Sequence, residues 1–88
     1  MSCTIRIASP LRSYTNGASS VQANGASVRE VLADLDLRFP GMRFRMVDEQ
    51  DRIRQHVRVF VNTRAATELS AAVRTGDEIH LVCALSGG

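Results

Sequence analysis

Residues 75–88 read TGDEIHLVCALSGG, and this stretch decides how the rest of the chain is read. Gly76-Asp77 is a turn signal. From Glu78 onward Ile79, Leu81 and Cys83 alternate with His80, Val82 and Ala84, and this period of two predicts a strand with the first set inward and the second outward. The strand then runs into Leu85, Ser86, Gly87 and Gly88. At an average glycine usage of ~7%, a terminal Gly-Gly arises by chance in roughly one chain in 200. Glycine has no Cβ, so Gly87-Gly88 can pass through a channel only as wide as a backbone. Fully extended, residues 85–88 reach ~13 Å. The expectation is an extended tail that presents the α-carboxylate of Gly88 to another protein's active site.

Upstream, VRVFVN (57–62) alternates Val57, Val59 and Val61 against Arg58 and Phe60 and predicts a second strand. CTIRIA (3–8) does the same with Ile5 and Ile7 against Thr4, Arg6 and Ala8. Pro10, Asn16 and Gly17 then mark a long hairpin loop before a short strand at SVQA. Ser27 and Glu30 match the S-x-x-E capping box, and Val28, Val31, Leu32, Leu35 and Phe39 recur at helical spacing. An amphipathic helix over 28–39 follows, stopped by Pro40 and Gly41. Residues 42–56 show no clean period and predict mostly loop, with Phe44, Met46, Val47 and Ile53 reaching the core. TRAATELSAAV (63–73) has room for a short strand and a helical turn. The result is an α+β class: a mixed sheet of four or five strands, first and last side by side, with one main helix on one face.

Eighty-eight residues make one domain, 1–88, that buries a modest core but has little room for a substrate pocket and a lid. Net charge is +2, and all eleven basic residues are Arg. The glycines permit neither a dinucleotide fingerprint nor a phosphate-binding loop, so the chain has no recognisable hold on ATP. His56 and His80 lack metal-ligand spacing, and DEQD (48–51), flanked by arginines, reads as a charge-compensated loop. The same acids, and the absence of interleaved aromatics, argue against a nucleic-acid surface. Without a leader or a bilayer-length apolar run, the expectation is a cytoplasmic protein that binds no membrane. Cys3 and Cys83 are expected to stay reduced: if the outer ends of the chain pair in parallel, ~16 Å of strand separates them, against the ~7 Å limit for bridged Cα atoms.

On the face opposite the helix, Phe60 and Val82 stand among Arg6, Arg58 and His80. An apolar spot with a basic rim has the anatomy of a docking site. The alternative reading folds residues 42–56 over this face and buries both apolar side chains.

Taken together, the strand-helix order, LRSYTNG, FPG, VRVFVN, TGDEIHLV and the terminal SGG resemble the MoaD/ThiS family of small sulfur carriers, over nearly the whole chain. The segment before VRVFVN is more similar to the carrier of mycobacterial-type cysteine biosynthesis than to the shorter thiamin carrier. Ala84-Leu85-Ser86 departs from the proline-containing stretch frequent in the family. The resemblance implies a ubiquitin-like β-grasp fold and no catalytic side chain. It implies that an E1-like enzyme of MoeB/ThiF type, using ATP, adenylates the Gly88 carboxylate. A sulfur donor then converts the adenylate to a thiocarboxylate, and a sulfur-accepting biosynthetic enzyme consumes it in a cysteine, molybdopterin or related pathway. Leu85, Ser86 and Gly87 would be the tail that the partners recognise. A second reading uses the same activated tail differently, as a ubiquitin-like modifier joined through Gly88 to lysines of other proteins.

Overall fold

The capping box forms as the sequence predicts: the Ser27 side chain accepts from the Glu30 N–H at 3.3 Å, and Glu30 Oε1 accepts from the Ala26 N–H at 3.0 Å. It starts helix α1, Val28–Arg38, whose buried stripe is Val28, Val31, Leu32 and Leu35. In the computed structural model, which describes residues 2–83, α1 lies across a five-stranded sheet. The strands are β1 (Ser2–Ile7), β2 (Ser20–Asn24), β3 (Val57–Val61), β4 (Arg64–Ala66) and β5 (Glu78–Cys83). Their order is β2-β1-β5-β3-β4, with β1 and β5 parallel and the other neighbours antiparallel. One main helix on such a mixed sheet is the β-grasp fold.

The core sits between sheet and helix. Cys3, Ile5 and Ile7 of β1, the three valines of β3 and Ile79 and Leu81 of β5 all turn toward it, as their alternation predicts. Cys83 packs against its margin. Thr4 pairs with Glu78 and Val57 with Cys83, so Cys3 and Cys83 lie at opposite ends of the sheet, and both are free thiols.

Two segments differ from expectation. The long loop after β1 contains a 3-10 helix, Ser9–Thr15, with Leu11 and Thr15 buried, and it closes on Asn16 in the left-handed conformation. Residues 42–56 are mostly irregular, as expected, but they open with a short helix, α2 (Met42–Met46), that sends Met42 and Met46 fully into the core. Met46, Val47 and Ile53 reach the core as expected, but Phe44 is 63% exposed and carries the Arg54 guanidinium over its ring at 4.7 Å. The cause is helical geometry, since residues 42 and 46 share one face and 44 takes the opposite one. Asp36 Oδ1 fixes the start of α2 by accepting from the Gly41 and Arg43 N–H groups at 3.1 and 3.2 Å.

Between β2 and α1 the backbone comes very close to the helix. A Cβ on Gly25 would stand 2.7 Å from the Val31 nitrogen and 2.9 Å from Glu30 Cβ. Neither neighbour is the movable end of a side chain, so Gly25→Ala must push α1 off its seat. The expected loss is about 1–3 kcal/mol, or roughly 4–8 °C in Tm for each kcal/mol in a chain of this size. An unchanged thermal midpoint would show that the connection has room to spare.

Candidate functional site

The GDE segment is where three strands are tied together. Gly76 has φ +88, a left-handed value that reverses the chain cheaply only at glycine. The Asp77 carboxylate accepts from the Arg74 N–H at 2.9 Å and from Asn62 Nδ2 at 3.1 Å, while the Asn62 side-chain oxygen accepts from the Glu78 N–H at 3.0 Å. The Asp77 carbonyl accepts from the Thr4 N–H at 3.0 Å. β1, the end of β3 and the start of β5 are thereby held in register. The Arg74 backbone N–H first, then the Asn62 amide and the charges of Arg74 and Arg64, hold the Asp77 carboxyl below the ordinary carboxylate range.

A depressed folded-state value stabilises the fold above the ordinary carboxylate range, and the contribution is lost as pH falls through the lowered value. Asp77→Asn is therefore expected to be less stable than the parent at neutral pH and to lose less further stability on acidification. Urea unfolding at neutral pH and below the carboxylate range reads this directly. An identical acid loss in both chains would show that Asp77 does not contribute to it.

From this anchor β5 runs up the centre of the sheet. On the face away from α1, His80 pairs with Arg6 on one side and Phe60 on the other, and Val82 pairs with Arg58. The structure thus brings all five expected docking residues into two adjacent rows. The second row, with Val82 38% exposed, lies at the Cys83 end of β5. Phe60 is half-buried rather than exposed. Residues 42–56 send Met42, Met46 and Val47 into the core, and Val82 stays open.

Sequence reasoning missed Glu78. Its carboxylate lies 2.9 Å from His80 Nε2 and 3.3 Å from an Arg6 terminal nitrogen, so it partly neutralises the basic rim. The signal was available, because residues 78 and 80 share a strand face. These pairs are exposed and add little stability, but they fix where the charges stand. The charge compensation expected of DEQD is met by Asp51, which reaches Arg43 at 2.9 Å and Arg29 at 3.3 Å.

Leu85, Ser86, Gly87 and Gly88, the expected reactive tail, lie outside the described residues. Among the described residues, no three His, Cys, Asp or Glu side chains gather as a metal site would require, and no helix is long and apolar enough to cross a membrane.

Comparison with known proteins gives this geometry its context. The ThiS family profile matches residues 5–88. The sulfur carrier protein CysO of Mycobacterium tuberculosis is 30% identical over 93 aligned positions that cover 100% of both chains. A crystal structure of an Amycolatopsis orientalis BexX/CysO complex contains a chain 34% identical to this one, with a TM-score of 0.90 and coverage of 98% and 99% of the two chains. SAMP1 from Haloferax volcanii is 26% identical, with a TM-score of 0.84 and complete coverage of both chains. With the profile matched from β1 to residue 88 and a carrier aligned end to end, the chain belongs to the ThiS family of ubiquitin-like sulfur carriers.

Proposed function

We propose that this chain carries sulfur as a thiocarboxylate on Gly88 and delivers it to a biosynthetic enzyme. The reading rests above all on the full-length alignment with CysO, which runs through the terminal Gly-Gly. In the first step the Gly88 carboxylate attacks the α-phosphorus of ATP on an E1-like enzyme of MoeB/ThiF type, forming an acyl-adenylate and releasing pyrophosphate. A persulfide on the sulfur donor then displaces AMP, and a thiol cleaves the resulting acyl disulfide, leaving a C-terminal thiocarboxylate and a disulfide on the donor. Its sulfur attacks an activated carbon of the acceptor and displaces that carbon's leaving group, and later hydrolysis of the acyl–sulfur bond returns the Gly88 carboxylate and frees the new thiol. Free sulfide need never form.

The chain contributes no catalytic side chain to these steps. Gly87 keeps the approach to the carboxylate narrow, with Leu85 and Ser86 completing the recognised tail. Phe60 and Val82, framed by Arg6, Arg58 and His80, form the surface on which the activating enzyme docks. The acceptor belongs to cysteine, molybdopterin or related thio-metabolite synthesis, and the BexX/CysO complex supports a stable pairing of such a carrier with a second protein.

The similarity to SAMP1 supports a second reading, conjugation of Gly88 to lysines of other proteins. Because the chain has no Lys, it cannot build chains on its own side chains. Recovery of the protein from its native cells separates the two. A free thiocarboxylate end is expected, and recovery only as isopeptide-linked adducts would replace the carrier by the modifier.

A further inference from the structure

The sheet ends at β4, three residues long, and the far side of this strand has no neighbour in the sheet. Val61 and Arg64 close a two-residue turn, and Val59 pairs with Ala66 two positions on. In antiparallel pairing the residue between two such pairs turns its N–H and C=O away from its partner strand, and here that residue is Ala65. Ala65 is itself exposed. No backbone hydrogen bond outside the β3 ladder involves Ala65 among the described residues.

Two concavities follow one another along this edge and share Ala65 and Ala66 as a wall. The first, about 360 Å³, lies toward Thr67 and includes Ile53, Val57, Arg54 and Arg58. The second, about 330 Å³, lies toward Arg64 and is otherwise made by Val61, Ala71 and Ala72. No Asp or Glu lines either one. Arg54 donates Nε to the Phe44 carbonyl at 2.8 Å, and Arg58 donates to the Gln55 and Val57 carbonyls at 2.8 and 3.1 Å. Arg54 also stacks on the Phe44 ring, and neither arginine is in ion-pair contact with a carboxylate among the described residues, so both bring uncompensated positive charge to the lining of the first concavity.

We infer that β4 takes a sixth strand from a partner protein: an extended segment with an acidic side chain seated against Arg54 and Arg58 and a small apolar side chain two residues away against Ala71 and Ala72. Strand addition supplies main-chain bonds at Ala65, and alternate side chains supply selectivity. Same-face side chains on an added strand stand ~6.6 Å apart, so successive ones can enter successive concavities. The charge of the first concavity sets the acidic requirement, and Val61, Ala71 and Ala72 set the apolar character of the second occupant. The edge shares Arg58 with the Val82 row but includes neither Val82 nor Phe60.

The test uses the full chain and a capped heptapeptide with valine at positions two and six, glutamate at four and threonine elsewhere, followed by amide chemical shifts. Expected are shifts at Ala65, Ala66, Thr67 and Arg58, and binding weaker by about fivefold when glutamine replaces the glutamate, as for one charge-assisted contact at an open site. Arg54→Gln should cause a similar loss. Ala65→Pro should abolish binding while keeping the parent spectrum elsewhere, because an edge position whose N–H faces outward tolerates proline. The inference is overturned by absence of binding at millimolar peptide, by shifts confined to the Phe60 and Val82 face, or by equal affinity for the glutamine peptide. Undiminished binding to both Ala65→Pro and Arg54→Gln would also overturn it. So would self-association of the chain through β4, which would make the occupant a second copy.

Discussion

Deleting Gly88 is expected to leave the fold intact and to abolish ATP–pyrophosphate exchange with the activating enzyme. Among the described residues the buried core runs from Cys3 to Leu81, and removing residue 88 takes away none of these side chains. The reaction, in contrast, needs a carboxylate at one place. Shortening the chain withdraws the reacting carbon by ~3.5 Å, and a misplacement of even ~1 Å can cost ~100-fold. Gly87→Val should be nearly as harmful, since a β-branched side chain both widens the tail and restricts its torsions. Pyrophosphate exchange by the shortened chain at the parent rate would mean that the terminal glycine is not the reacting residue.

The second large effect is expected at the sheet face. Phe60 stands in one row with His80 and Arg6, and next to it Arg58 pairs with Val82. Phe60→Asp puts a carboxylate among cationic and polar neighbours, so the monomer should keep nearly its parent Tm. Binding to the activating enzyme should weaken by ~2 kcal/mol, about 30-fold, the scale of an aromatic anchor at the centre of an interface. Calorimetry on the variant alone and titration against the enzyme give the two numbers. A large loss of stability with no binding defect in the folded fraction would assign Phe60 to the core and remove the docking surface.

How far the sequence carried this account depends on the period of each element. β1, β3 and β5 were legible because a half-buried strand writes its burial as alternation, and α1 because Ser27 and Glu30 mark its start while Val28, Val31, Leu32 and Leu35 mark its face. β1 and β5 were expected side by side, and the parallel direction on which the separation of Cys3 from Cys83 was made to depend is the one the structure has. The 3-10 helix and α2 were not legible. A helix of five residues offers little more than one turn, too short for a period to rise above the arginines between its buried positions. Met42 was therefore overlooked and Phe44 misplaced, although both are large and apolar. Strand alternation put Phe60, Val82, Arg6, Arg58 and His80 on the outer face, where the structure has them in adjacent rows. The Glu78–His80 pair could be read from the shared face of one strand, whereas the Glu78–Arg6 pair needed the register of β1 on β5.

The central claim, that Gly88 carries sulfur, is tested most directly by mass spectrometry of the chain after incubation with its activating enzyme, ATP and a sulfur donor. The last arginine is Arg74, so trypsin releases residues 75–88 as one peptide. This peptide is expected to exchange one oxygen for one sulfur, with the change located at Gly88. A gain of sulfur without loss of oxygen, the mark of a persulfide on Cys83, or an unchanged peptide in the presence of a demonstrably active enzyme, would contradict it.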